Sequence, residues 1–259
     1  MAHSPEYRRI LHKIGYYSYQ SGLIFRHLNQ DGGWDEHNLK CRSYILNALD
    51  HFKPEKVTIL GSGWLLDIPL AEIAERTASV TLIDILHPPE VREQVSVYDN
   101  VHLKETDVTG GLITEVWTKT HKSFFNRLKN VSAIHIPEYM PEGDPGLVIS
   151  LNILTQLENL PIEYLRKKTS LKPDELLSLC CNIQKKHVEF LQRNNSVLIS
   201  DVEEIITENR SNVRTVPTLR VDITGGSMKD EWIWDFDLKG SDYYNSRSVL
   251  KVKAYIFET

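Results

Sequence analysis

The chain lacks most features that would mark a secreted, metal-stapled or membrane-spanning protein. Only 3 cysteines occur in 259 residues, so no disulfide framework is available, and none has a CxxC or Cys/His spacing suited to zinc. Cys180 and Cys181 are adjacent, face different sides of any helix, and read as reduced structural thiols. No apolar run approaches the roughly 18 residues of a membrane span, and the opening MAHSPEYRRILHK has no signal-peptide core. A soluble, cytoplasmic protein with no membrane partner is the expectation. An excess of basic charge is missing too: 30 Lys+Arg stand against 35 Asp+Glu, which argues against a nucleic-acid surface. The dense basic clusters, Arg166-Lys167-Lys168 and Lys185-Lys186, read as solvated helix faces.

What is present is an ordinary globular composition, 41% hydrophobic and 25% charged, in a chain long enough for one large α/β domain. Residues 5–52 read as helical: Tyr7, Ile10, Leu11, Ile14 and Tyr17 keep a three-to-four spacing, as do Leu39, Ser43, Leu46 and Leu49, with Asp31-Gly32-Gly33 as a breaker between them. The period changes after Pro54. VTILG (57–61), SVTLID (79–84), VHLKETD (101–107), GLVISLNIL (146–154) and SVLISD (196–201) read as buried strands. Helical patterns lie between them at 65–76, 113–129 and 174–193, the last with Leu176, Leu179, Cys180, Ile183, His187 and Phe190 on one side. EEIITENR (203–210) reads as a short helix. The tail strands WIWDFDL (232–238) and SVLKVKAYIFE (248–258) are joined by the turn-forming KGSDYYNS.

Parallel neighbours need long crossovers, whereas the last two strands have only a turn between them. The expected architecture is therefore a seven-stranded, mostly parallel, doubly wound α/β sheet with a C-terminal antiparallel hairpin, preceded by N-terminal helices. Ligands of such sheets bind beyond the carboxyl ends of the strands, near the switch in strand order. Gly61-Ser62-Gly63 follows the first strand and allows a sharp backbone turn without Cβ atoms in the way. Asp84 ends the second strand 21 residues after Gly63, where a carboxylate meets ribose hydroxyls; Ile85 is next to it. Asp107-Val108 follows the third, an acidic-apolar pair suited to an adenine amino group and ring face. Leu66 stands where GxGxxG needs a glycine, which weakens a dinucleotide reading.

These strand ends resemble those of the class I S-adenosylmethionine-dependent methyltransferases. VTILGSGWL resembles that family's glycine loop at Gly61 and Gly63. LID resembles its ribose-binding strand end at Asp84, and ETDV its adenine-contacting segment at Asp107 and Val108. SLNIL, with Asn152, resembles the segment lining the methyl-donor and acceptor site. The resemblance implies a helical cap over 1–52, a Rossmann-like methyltransferase domain over 53–259, S-adenosylmethionine as cofactor and a small-molecule methyl acceptor. The implied cofactor set is Gly61, Ser62, Gly63, Asp84, Ile85, Asp107, Val108 and Asn152, with no metal. The chain departs from the family at Ile59, where an acidic residue is usual, and at Leu65, where a third glycine is usual; Asp67 or Glu72 are the candidate substitutes for the missing acid.

Methyl transfer chiefly needs alignment, so catalytic residues stay open. The candidates are Asn152, Tyr17 and His27, within a wider N-terminal group of Tyr16, Tyr19, Arg26, Trp34 and His37 whose bland reading is amphipathic packing. Glu203 and Glu204 are candidates for the pocket mouth, and His187 reads as a core histidine. Two other readings stand beside the first: a non-catalytic binding protein that kept the sheet and lost the cofactor, and an RNA or protein methyltransferase.

Overall fold

The computed structural model describes residues 3–121, 128–208, 212–240 and 246–259. Three helices come first: α1 (Pro5–Ile14), α2 (Tyr16–Asn29) and α3 (Asp35–Phe52). The Ser4 hydroxyl accepts the Tyr7 N–H and Pro5 opens the first turn, a favourable start for α1. Gly15 stops it in the left-handed region at φ 111°, so α1 and α2 are separate rods.

An alternating stretch follows: β1 (Lys56–Leu60), α4 (Leu70–Arg76), β2 (Ser79–Asp84), α5 (Pro89–Val95), β3 (Val101–Glu105), α6 (Leu112–Thr120), β4 (Leu147–Leu151), α7 (Asn159–Lys168), α8 (Pro173–Gln192) and β5 (Ser196–Glu208). The tail adds β6 (Asn212–Pro217), β7 (Ser227–Asp237) and β8 (Ser246–Phe257). The sheet order is β3-β2-β1-β4-β5-β8-β7, with β6 also paired to β5. Strands β1 to β5 are mutually parallel, while β8 runs antiparallel to both β5 and β7. The chain moves outward from β1 to β3 and then restarts at β4 on the other side of β1. That reversal puts the topological switch between β1 and β4.

The period of two divides each strand between two cores. Val57 and Ile59 of β1, Ile149 and Leu151 of β4 and Ile199 of β5 pack with α3, α4 and α5. Leu60, Val148 and Leu198 face the other way, toward α1, α6, α7 and α8. The N-terminal helices share in both layers: Ile10, Leu11 and Ile14 join one core, while Cys41, Tyr44, Ile45 and Ala48 join the other. Among the described residues no helix is long and apolar enough to cross a membrane.

Three local expectations need correction: the helix at 203–210, the count of seven strands and the start of the helix over 65–76. Residues 203–208 are not helical but continue β5, because Ile205, Ile206 and Thr207 are β-branched and find strand partners on both sides, in β6 and β8; residues 209 and 210 lie outside the described set. The sheet therefore has eight strands, since the polar β6 gives no apolar signal. The helix expected over 65–76 begins only at Leu70, after Pro69, with Leu65 in the left-handed region at φ 62°. The expected helix over 35–52 is present as α3, whose buried face carries His37, Cys41, Tyr44, Ile45, Ala48 and Leu49, while Leu39 is 64% exposed and Ser43 lies outside. Of the helix expected over 113–129, Leu112–Thr120 is seen; residues 122–127, like 241–245 of the tail turn, lie outside the described set.

Ile45 and Leu39 share one helix but not one environment. Ile45→Ala should cost about 2–5 kcal/mol of unfolding free energy and Leu39→Ala no more than about 0.5 kcal/mol. Urea denaturation of the two variants measures this; equal losses would refute the helix orientation.

Candidate functional site

The loops beyond β1, β2, β3 and β4 line a crevice with a cavity volume of about 160 Å³, bordered on the far side by α2 and the start of α3 and flanked by Trp234 of β7. Its floor is the bend after β1. Gly61 and Gly63 both take positive φ, 83° and 48°. A Cβ on Gly61 would lie 2.7 Å from the Leu151 carbonyl oxygen, so β1 and β4 approach here only because the side chain is missing. A Cβ on Gly63 would meet nothing nearer than Gly61 O at 4.0 Å, which leaves bare backbone beside open space. The Gly61 N–H donates to Ile83 O at 2.9 Å. Ser62 is buried, and its hydroxyl pairs with His87 Nε2 at 3.0 Å, so it braces the bend from behind.

Asp84 ties the bend to β2. Its Oδ2 accepts the Gly63 N–H at 2.7 Å and its Oδ1 accepts the Ile85 N–H at 2.7 Å. Burial outweighs these bonds and pushes the carboxyl up to about 6. Asp107 is turned onto its own loop: Oδ1 accepts from the Thr109 N–H at 2.9 Å and Oδ2 from the Ile113 N–H at 3.2 Å. Val108 and Ile113 are buried beside it and line the crevice with Ile85, Tyr16 and Leu160.

The other end of the crevice holds a polar cluster that was not legible as a unit. Asn152 leaves β4 in the left-handed region at φ 50°, and its Nδ2 donates to Asp67 Oδ2 at 2.7 Å. The same amide lies 3.0 Å from His37 Nε2. Trp232 Nε1–H donates to His37 Nδ1 at 3.0 Å, and the imidazole stacks on Trp234 with centroids 3.8 Å apart. An indole nitrogen only donates, so Nδ1 carries the lone pair and the proton of the neutral ring sits on Nε2, 3.4 Å from Cys41 Sγ; toward the Asn152 amide nitrogen that N–H faces a second donor, and the two are in contact without a hydrogen bond. Burial lowers His37 to about 3 and raises the Cys41 thiol far above its ordinary range.

His37, Cys41 and Asp67 bring imidazole, thiol and carboxylate atoms within 4.8 Å of one another, a donor set of zinc type. Both histidine nitrogens are committed, the thiol keeps its proton, and the Asn152 amide nitrogen sits 2.7, 3.0 and 3.8 Å from the three donors. The amide fills the space an ion would need. This cluster is a hydrogen-bonded plug that fixes the end of β4 against α3.

All eight cofactor-set residues, Gly61, Ser62, Gly63, Asp84, Ile85, Asp107, Val108 and Asn152, line one crevice. Tyr17 and His27 do not: Tyr17 is 38% exposed on α2, and the His27 ring packs on Trp34 at 5.3 Å. Their neighbours Tyr16, Tyr19, Trp34 and His37 line it instead. Asp67 lines the crevice and Glu72 is exposed on α4, so of the two substitute acids only Asp67 is in place. Glu203 and Glu204 lie within β5, away from the crevice lining. His187 is buried with Nε2 2.8 Å from Ser150 Oγ. The roles of Gln20, Asn38 and Gln156 gave no sequence signal.

No protein-family model and no curated protein matches the chain. Solved structures do align with it. The 1,6-didemethyltoxoflavin-N1-methyltransferase of Burkholderia thailandensis, with 1,6-didemethyltoxoflavin and S-adenosylhomocysteine bound, is 13% identical over 100% of this chain and 92% of its own, with TM-score 0.43. The N-methyltransferase NodS of Bradyrhizobium japonicum WM9, in complex with S-adenosylhomocysteine, is 10% identical over 87% of each chain, with TM-score 0.36. A DhpI–S-adenosylhomocysteine complex is 9% identical over 95% of this chain and 97% of its own, with TM-score 0.38. Likenesses this distant carry neither ligand nor activity across, and the site stands on this chain's own geometry.

The buried His37 ring should stay neutral from pH 8 to pH 5. The unfolded ring takes its proton near 6.5 and the folded ring only near 3, so this group's contribution to stability is full above 6.5 and shrinks by about 1.4 kcal/mol per pH unit below it. Flat His37 imidazole shifts in NMR over that range are expected, with no rise in Tm on adding Zn²⁺. A titration near 6.5, or stabilisation by zinc, would overturn the plug assignment.

Proposed function

We propose that the chain is an S-adenosylmethionine-dependent methyltransferase acting on a small molecule. The observation that carries this reading is the bare Gly61–Gly63 bend held by Asp84 at the β1/β4 switch. Asp84 accepts backbone N–H groups from Gly63, Ile85 and Leu86, and the remaining acceptor position of its carboxylate is left for a ribose hydroxyl. Ile85, Val108 and Ile113 offer an apolar slot for a purine ring, and Asp107 keeps the 107–113 loop in the shape that forms it. Asp67, beside Asn152, is the carboxylate placed to meet the amino group of the methionine moiety. The residues present fit the cofactor.

The cofactor, when bound, supplies a methyl group on a sulfonium whose loss leaves a neutral thioether. The chain's task is alignment and exclusion of water rather than proton transfer, because His37, the imidazole in the lining, has its lone pair committed to Trp232. The roof supports a small acceptor. The Trp64 indole N–H donates to Gln20 O at 3.0 Å, the Tyr19 hydroxyl donates to Gln156 Oε1 at 3.2 Å, and His3 Nε2 lies 2.7 Å from Ile85 O. These contacts hold α1 and α2 over the strand ends and narrow the space left beside them. The basic clusters fit that reading: Lys167 pairs with Glu163 and Lys185 with Glu189, as solvated helix pairs do.

Titration calorimetry with S-adenosylhomocysteine should show binding, and Asp84→Asn should weaken it by about 1–3 kcal/mol. Affinity should also fall as pH drops from 7 to 5, because hydroxyl donors prefer the carboxylate and Asp84 takes up its proton near 6. Its own contribution to folding runs the other way, full below about 4 and lost as pH rises through 6. Folded protein that gives no heat would sink the proposal; an affinity unchanged between pH 7 and 5 would remove Asp84 from it.

A further inference from the structure

Among the described residues four carboxamide side chains line the crevice, and three are committed to the protein. Gln20 Nε2 donates to Leu86 O at 3.4 Å. Gln156 Nε2 donates to Asn152 O while its Oε1 accepts from the Tyr19 hydroxyl, and Asn152 Nδ2 donates to Asp67. The fourth, Asn38, is only 9% exposed, yet its side chain has no hydrogen-bond partner among the described residues. Its amide atoms are not sealed in, as Asn152 Oδ1 and the Trp234 indole nitrogen are; both keep accessible surface. A carboxamide this buried normally finds a partner, so this one stands ready for a guest.

Helix geometry sets its direction. Side chains on an α-helix lean toward the N-terminus, over the preceding turn. The start of α3 is the part that borders the crevice, so the Asn38 carboxamide is carried back over Trp34, which lines it too. One turn further on, Arg42 donates to Leu66 O and brings the loop after β1 against the same face of α3. Trp34 packs in the core on one side of the sheet, whereas Val108 and Ile113 of the purine slot pack on the other. Asn38 therefore belongs to the end of the crevice that the nucleoside leaves free.

We propose that Asn38 is the specificity-determining residue of the acceptor subsite, and that it selects an uncharged, flat molecule presenting an N–H and a carbonyl oxygen side by side, as a cyclic lactam does. This rests on the methyltransferase reading for the other half of the same crevice. A carboxamide offers an acceptor oxygen and N–H donors in one plane. A lactam edge meets both at once in two parallel hydrogen bonds. A lone carbonyl meets only the N–H and leaves the amide oxygen without a donor, the kind of defect by which sites reject analogues lacking a polar atom. The indole of Trp34, one turn away, favours a ring over a chain. An anion would meet Asp67, Asp84 and Asp107 in a lining that holds no Lys or Arg among the described residues. Asn38 thus reads the guest and carries no proton.

Three bicyclic probes of one shape separate these cases: 2-quinolone, with N–H and carbonyl adjacent; coumarin, in which a ring oxygen replaces that N–H; and naphthalene, with neither. Binding is followed by ligand-observed NMR on the protein with and without saturating S-adenosylhomocysteine, whose own affinity is measured first by calorimetry. 2-Quinolone should bind at least several-fold tighter than coumarin, and naphthalene weakest. Asn38→Leu, close in size and without a polar group, should make 2-quinolone and coumarin bind equally and leave the affinity for S-adenosylhomocysteine as it was. Should Asn38→Leu lower Tm, Asn38→Ala, which adds nothing to be packed, must show the same loss of preference. If S-adenosylhomocysteine gives no heat but the free protein shows the lactam preference and loses it in the variant, the cofactor reading alone falls. If S-adenosylhomocysteine binds but 2-quinolone has no advantage over coumarin, or none of the three binds, or the advantage survives in the variant, the subsite proposal is overturned while the cofactor reading survives. A variant that loses affinity for S-adenosylhomocysteine would put Asn38 in the cofactor's half of the crevice and overturn the proposal equally.

Discussion

The hydrogen bond from the Gly63 N–H to Asp84 Oδ2 is the contact on which the site depends. It joins the loop after β1 to the end of β2 across a single interstrand spacing, and so sets the height of the crevice floor. Without it the bend would be held by two amides donating to Ile83 O and by the Ser62–His87 pair. The bond is expensive to maintain, since a nearly buried carboxylate loses hydration and its proton affinity rises. A carboxyl kept in that condition, at a strand end and beside a bare backbone, is what a hydroxyl-bearing ligand would relieve. Stability and binding therefore pull on one group in opposite directions.

A second constraint works from the far side. Trp232 fixes the tautomer of His37, His37 stacks on Trp234, and the Asn152–Asp67 bond closes the cluster against the end of β4. Its members are buried apart from the half-buried Asp67, and each is neutral or hydrogen-bonded, so the arrangement behaves as a rigid wall rather than a reactive centre. Asn152 holds a left-handed conformation there, as Leu65 does in the loop after β1, and strain of this kind persists only where surroundings over-determine it. Leu65 is instructive: it replaces a small residue in the loop pattern yet adopts the backbone state a glycine would take, and its side chain is absorbed into the core with Ile68 and Ile73.

How much of this was legible in the sequence follows from distance along the chain. The strand-end residues Gly61, Gly63, Asp84, Asp107 and Asn152 each sit at the close of a short apolar run, and the parallel sheet brings such closes together; a local pattern thus suffices to find them. Periodicity also set the buried side of α8. It found α3 as a helix with Leu49 in the core, but not that Cys41, Tyr44 and Ile45 carry most of its packing while Leu39 faces outward, because apolar count does not reveal which side meets the sheet. It failed at 203–208, where helix-tolerant glutamates hid a run of β-branched residues whose partners are supplied by β6 and β8.

The aromatic side of the crevice was hidden for a deeper reason. Its wall joins α3 to β7, segments about two hundred positions apart: Trp34 reaches Phe236 and His37 reaches Trp232. No short motif encodes such a pairing, and WIWDFD read alone is simply a strand that packs. Alternation along β7 gives no warning either, since Trp232 and Trp234 fall on one face and enter the same core. What distinguishes the two rings is their third partner. Trp232 donates its N–H to a histidine delivered by α3, while Trp234 stacks on that same imidazole with the two planes 7° apart, so one ring takes a hydrogen bond from one tryptophan and a stacking partner from the next. The order of the wall therefore depends on the register of β7 against α3, which only the assembled sheet supplies.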